Sequence, residues 1–99
     1  MHDIRTKSTD RLVSVITKIN DVEELYAFLE DLCTVKELQD MAQRFDTAIL
    51  LKEKNSYQKI ISEVNVSTAT ISRVNRCLEY GAGGYDIALA KLKEIEAKK

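Results

Sequence analysis

Tyr57-Gln58-Lys59-Ile60-Ile61-Ser62-Glu63-Val64-Asn65-Val66-Ser67-Thr68-Ala69-Thr70-Ile71-Ser72-Arg73-Val74-Asn75-Arg76 is the stretch on which the fold turns. Its apolar positions are Ile60, Ile61, Val64, Val66, Ile71 and Val74, divided by a tight turn at Asn65-Val66-Ser67. That is the spacing of a helix-turn-helix. Ile60 and Val64 share one face of the first helix, Val66 plugs the turn, and Ile71 with Val74 faces back into the wedge between the two helices. The outward positions of the second helix are then Ser67, Thr68, Ala69, Ser72, Arg73 and Arg76, all small or able to donate hydrogen bonds, and none acidic. Small residues at a helix tip allow close approach to base edges, hydroxyls can meet a donor or an acceptor, and arginine suits phosphate or guanine. Ser67, Thr68, Ala69, Thr70, Ser72, Arg73 and Arg76 are therefore candidate DNA contacts, with Gln58 and Lys59 of the first helix offered to the phosphate backbone. An ordinary solvent-facing hairpin would carry helix-favouring Glu and Lys instead of the hydroxyl and β-branched residues found here.

Outside this stretch the chain is punctuated as an all-α protein. No proline occurs, and the three glycines, Gly81, Gly83 and Gly84, lie within four residues. A first amphipathic helix follows the cap cluster Ser8-Thr9-Asp10, carries Leu12, Val15, Ile16 and Ile19, and ends near Asn20. Asp21 with Glu24 reads as a capping box opening a second helix to about Cys33, with Val22, Leu25, Phe28, Leu29 and Leu32 in one stripe. Thr34 with Glu37 repeats that signature before the longest helix, whose face runs through Val35, Leu38, Met41, Ala42, Phe45, Ala48 and Ile49 to Lys52. Lys54-Asn55-Ser56 breaks it, Ser56 caps a short helix through Glu63, and Ser67 caps the next, from Thr68 to about Tyr80. After the glycines, Asp86 caps a last helix bearing Ile87, Ala90, Leu92 and Ile95. Six helices are expected in a single domain over residues 1–99, with the helix-turn-helix at about 56–78, dimerisation through the N-terminal and central helices of residues 8–54, and a C-terminal helix at 86–97.

Composition narrows the function. Ninety-nine residues, 44% hydrophobic and 31% charged, make about one globular domain. The longest strongly apolar run, Ala48 to Leu51, is far short of the roughly 20 residues that span a bilayer, and no apolar signal region opens the chain, so a cytoplasmic protein without a membrane partner is expected. One histidine, His2, and two distant cysteines, Cys33 and Cys77, make no zinc ligand set and no nucleophile–base pair; neither a metal nor an enzymatic activity is expected. Both cysteines are read as core thiols and the four tyrosines as packing residues. Gly81-Ala82-Gly83-Gly84 reads as a helix-ending linker, since phosphate-cradling loops follow a strand. Net charge is −1, but unevenly spread: from Asn20 to Leu51 eight acidic residues face Lys36 and Arg44, a balance of −6, whereas from Lys52 to Leu78 five cations face Glu53 and Glu63, a balance of +3. Such a chain suits a module that touches a polyanion with one edge. The alternatives are a helical adaptor binding proteins through its acidic region, or the helix-turn-helix module of a replication initiator or transposase.

Leu32-Cys33-Thr34 with Glu37-Leu38, Ala42-Gln43-Arg44, Ser56-Tyr57-Gln58 and above all Ala69-Thr70-Ile71-Ser72-Arg73 resemble the Trp repressor family, within it the Trp-repressor-like YerC/YecD branch, over roughly Asp21 to Leu92. The resemblance implies an intertwined, all-helical homodimer that binds double-stranded DNA as a transcriptional regulator of the repressor type. It also implies an amino-acid effector pocket between the long helix and the recognition helix, held by two arginines, a glycine against the indole and a serine. Arg73 matches one arginine and Arg44 the other, while Val74 stands where the family pocket has glycine and Cys77 where it has serine. An isopropyl group where a flat ring should lie typically costs about 1–3 kcal/mol. DNA binding is therefore expected not to depend on tryptophan, leaving a smaller amino acid, or no cofactor at all, at Arg44, Arg73, Val74 and Cys77.

Overall fold

The computed structural model describes residues 4–98; His2 lies outside them. Six helices and no strand occur among the described residues: α1 (Lys7–Lys18), α2 (Val22–Leu32), α3 (Val35–Lys52), α4 (Tyr57–Val64), α5 (Thr68–Tyr80) and α6 (Gly84–Ala97). The fold is all-α, as the punctuation of the sequence requires. The chain divides into two compact units at Leu38/Gln39.

In the first unit the helix boundaries follow short-range hydrogen bonds. α1 starts earlier than the Ser8-Thr9-Asp10 cluster predicts: Thr6 is its N-cap, accepting from the Thr9 amide at 3.0 Å while the Thr9 hydroxyl accepts from the Thr6 amide at 2.7 Å. Reciprocity decides, because this pair satisfies two amides at once where Ser8 would satisfy one. Asp21 caps α2 by accepting from the Glu24 amide at 3.0 Å, and the Thr34–Glu37 box that opens α3 closes in both directions, at 2.8 and 3.0 Å. Neither α1 nor α2 contains a buried residue. Ile16, Ile19, Leu25, Phe28, Leu29 and Cys33 are half-buried, and Leu12, Val15, Val22, Tyr26 and Leu32 are exposed.

The second unit holds the core. Thr47 and Ala48 of α3, Ile60 of α4, and Ile71 and Val74 of α5 are its buried residues. The Thr47 hydroxyl is satisfied locally by donating to the Gln43 carbonyl at 2.8 Å, so a polar group sits in the core without an orphaned donor. Full burial of side chains such as Ile60 and Ile71 stabilises by about 1.5–3 kcal/mol each, and this small cluster fixes α4 against α5.

α3 ends in two hydrogen bonds, Lys54 N–H to Leu51 C=O (3.0 Å) and Asn55 N–H to Leu50 C=O (3.1 Å), with Lys54 left-handed at φ 66°. This is the Schellman pattern. α6 departs from expectation: it begins at Gly84, not after Asp86, with Gly83 left-handed at φ 85° as N-cap and no side-chain cap bond. Asp86 instead sits in the first turn and pairs with Lys52 at 3.0 Å, tying the end of α3 to the start of α6. Two other expectations are corrected. Cys77 is exposed, not a core thiol, and Tyr26, Tyr57 and Tyr80 are exposed, Tyr80 at 82%, so that Tyr85 alone of the tyrosines is half-buried.

Candidate nucleic-acid interface

The candidate interface lies at the corner between α4 and α5. Ser56 caps α4 by accepting from the Lys59 amide at 3.2 Å. The helix ends at Asn65, whose left-handed backbone (φ 60°, ψ 50°) returns its N–H to the Ile61 carbonyl at 3.0 Å. Asparagine tolerates that conformation better than most residues. Two residues later Ser67 caps α5, accepting from the Thr70 amide at 3.2 Å, and its hydroxyl donates to the Thr70 hydroxyl at 3.1 Å.

With Ile71 and Val74 buried, helical geometry dictates the rest of α5. Ala69, Ser72, Arg73, Arg76 and Tyr80 recur at spacings of three and four residues on the side opposite the core, and all five are exposed. Thirteen residues give a rod about 20 Å long, a size that fits a major groove. The side chains of Thr68, Ser72, Arg73 and Arg76 make no hydrogen bond or ion pair among the described residues, so their donors are open to a partner.

The nine residues that the sequence nominates therefore fall into three groups. Thr68, Ala69, Ser72, Arg73 and Arg76 form the open outward surface. Ser67 and Thr70 are engaged with each other, and Thr70 is half-buried, so they hold the tip in shape. Gln58 and Lys59 are exposed on α4, with the Lys59 ammonium 3.9 Å from Glu63, a long surface pair worth at most about 0.5 kcal/mol and easily exchanged for another anion. Beyond Arg76, where the helix-turn-helix spacing singles out no further residue, α5 also exposes the acidic Glu79 near its far end.

The nominated effector residues are less coherent. Val74 is 1% exposed and belongs to the core, while Arg73 and Cys77, one turn apart, are exposed. Arg44 is half-buried on α3, one turn before Thr47 and Ala48. The Val74 side chain fills the helix junction with protein atoms.

The family model described as Trp repressor protein matches residues 7–93. The chain belongs to the Trp repressor family. It is 48% identical over 95 residues to the uncharacterized protein YerC of Bacillus subtilis (strain 168), covering 96% of this chain and 91% of that one. Among solved structures it is similar to a TrpR-like protein from Eubacterium eligens, at 41% identity and a TM-score of 0.87, covering 91% of this chain and 93% of that one. A candidate Trp repressor from Staphylococcus aureus gives 39% identity and a TM-score of 0.86, covering 91% and 90%. The likeness to YerC places the chain in the Trp-repressor-like branch. Members of the Trp repressor family are regulators, not enzymes, in keeping with the expected lack of enzymatic activity. No helix among the described residues is long and apolar enough to cross a membrane.

Proposed function

We propose that this chain is a sequence-specific DNA-binding transcriptional regulator of the cytoplasm that acts as a homodimer, reads the major groove with α5, and does so without tryptophan. The observation that carries this reading is the outward face of α5. Thr68, Ala69, Ser72, Arg73 and Arg76 stand exposed, with the donors of the four polar ones unengaged, on a helix that buried Ile71 and Val74 anchor from behind. A helix held rigidly at its back and chemically open at its front is what base readout requires.

Independence from tryptophan is supported by Val74. A corepressor acts only through its differential affinity for the DNA-competent conformation, and a site already filled by a buried isopropyl group has little room for an indole. Dimerisation is supported by α1, α2 and α6, none of which has a buried residue, and by an open groove of about 390 Å³ between α3 and α6 lined in part by Ile49, Leu89 and Leu92. Apolar faces of this kind are stabilised only against another surface, and a second copy presents one.

Selection of bound sequences from random duplex DNA, with and without amino acids, tests the reading. A single enriched motif whose affinity falls steeply with salt is expected whether or not tryptophan is present. A protein adaptor would retain no DNA even at low salt, and enrichment only with tryptophan would overturn the ligand-independent part.

A further inference from the structure

We propose that Lys54, which no motif in the sequence singles out, is a phosphate-contacting residue of the same DNA interface; the inference rests on the reading of α4 and α5 as that interface. Lys54 has φ 66°, in the left-handed region where a Cβ crowds the backbone and glycine is favoured. The hydrogen bonds around it are regular: its N–H meets the Leu51 carbonyl at 3.0 Å, while the backbone and side-chain N–H groups of Asn55 both meet the Leu50 carbonyl, at 3.1 and 3.0 Å. The position that usually holds glycine in this motif holds lysine.

Local physics does not favour that choice. Among the described residues the other left-handed one outside glycine, at the end of α4, is Asn65, a residue that tolerates the conformation. A cation near the C-terminus of α3 would offset the helix dipole, but Lys52 already supplies one, with its ammonium 3.0 Å from Asp86. Lys54 is exposed, and its side chain makes no hydrogen bond or ion pair among the described residues. A residue that breaks a local rule without a local gain points to a role outside the fold. Its position names the role: Lys54 lies two residues before Ser56, the cap of α4, and five before Lys59. It thus stands at the entry of the helix that crosses the phosphate backbone in a helix-turn-helix complex. A flexible ammonium there contacts phosphate as a point charge and carries no sequence information.

The two roles make opposite demands on one substitution. Lys54→Gly relieves the backbone and removes the charge, so the full-length variant should melt at or above the parent's temperature while binding DNA more weakly. With a mixed-sequence duplex titrated at about 50 to 200 mM salt, the slope of log affinity against log salt should fall by about 1.8, that is about 0.9 for each of the two Lys54 side chains of a dimer. Lys54→Arg should keep the parent's slope. An unchanged slope for Lys54→Gly would overturn the proposal, as would an equal loss in Lys54→Arg, which would divorce the effect from charge. A lower melting temperature for Lys54→Gly would show that the lysine serves the fold, with the same consequence. If the parent itself does not bind duplex DNA, the reading of α4 and α5 fails first and takes this one with it; if the parent binds and Arg73→Ala weakens it while Lys54→Gly does not, only this one fails.

Discussion

Ser67 shows how one hydroxyl can serve the fold and shape the site together. By accepting from the Thr70 amide and donating to the Thr70 hydroxyl, it closes the tip of α5 and engages two polar groups that would otherwise stand open beside Thr68. Ser67→Ala should cost about 0.5–2 kcal/mol in urea denaturation, the range for a lost N-cap. Thr68, beside it and unpartnered, should behave differently: Thr68→Ala is expected to leave stability within about 0.5 kcal/mol. Its cost should appear as about 1–3 kcal/mol at a single base-pair position in competition binding. Lys59→Ala should weaken all sequences alike, because a phosphate contact does not know the base. Val74→Ala removes two buried methyl groups and should lower stability by about 1.5–3 kcal/mol, the transfer value plus a term for the cavity that incomplete relaxation leaves. Calorimetry of that variant against tryptophan asks whether space is all that the site lacks. Ser67, Asn65 and the Ile71–Val74 pair were legible in the sequence because each acts over four residues or fewer, where residue type and backbone geometry are tightly linked. Lys54 was not, because nothing in a lysine announces a left-handed backbone; only the hydrogen bonds that surround it do.

At the scale of the element, boundaries were legible wherever a side chain caps a helix, and less so where backbone alone does. α2, α3, α4 and α5 begin at Asp21, Thr34, Ser56 and Ser67 as their chemistry requires. α6 was misplaced because its cap is Gly83, which contributes no side chain; Asp86, a good cap by type, is drawn to Lys52 instead. The two flanking glycines are not equivalent. A Cβ on Gly81 would collide with the backbone carbonyl of Cys77, whereas one on Gly84 meets nothing within 4 Å. Gly81→Ala should therefore destabilise by about 1–3 kcal/mol, since the obstacle is backbone and cannot rotate away. Gly84→Ala, inside α6, should be neutral or stabilise by about 0.4–1 kcal/mol through the entropy of the unfolded chain. Thermal unfolding of the pair checks both signs. Equal effects would mean that the α5–α6 connection relaxes freely, as a glycine-rich linker read from sequence alone would suggest.

At the scale of the molecule, the decisive quantity is apolar surface left without a partner. The buried side chains of the described residues all come from α3, α4 and α5, while α1, α2 and α6 contain none and keep Leu12, Val15, Val22, Leu32, Ile87 and Ile95 exposed. Helices of 11 to 14 residues are marginal in water on their own, so their order needs packing. In a two-fold dimer each copy's stripes meet the other's, and the two α5 helices are set about 34 Å apart, one turn of duplex. Light scattering should give about twice the 11.3 kDa of one chain. Because the dimer rather than the monomer would be the folded species, the melting temperature should rise with protein concentration, and the selected DNA site should be near-palindromic. Val15→Asp tests the link between these observations. Val15 is 46% exposed and shares its face of α1 with Leu12 and Ile16, so a carboxylate there would desolvate against apolar groups in the dimer and lie harmlessly in water in the monomer. The variant should dissociate at concentrations where the parent does not, and lose DNA affinity although every residue of α5 is intact. A parent whose melting point is independent of concentration, and which binds DNA tightly as an 11.3 kDa monomer, would remove the dimer from the account and leave the recognition helix to act alone.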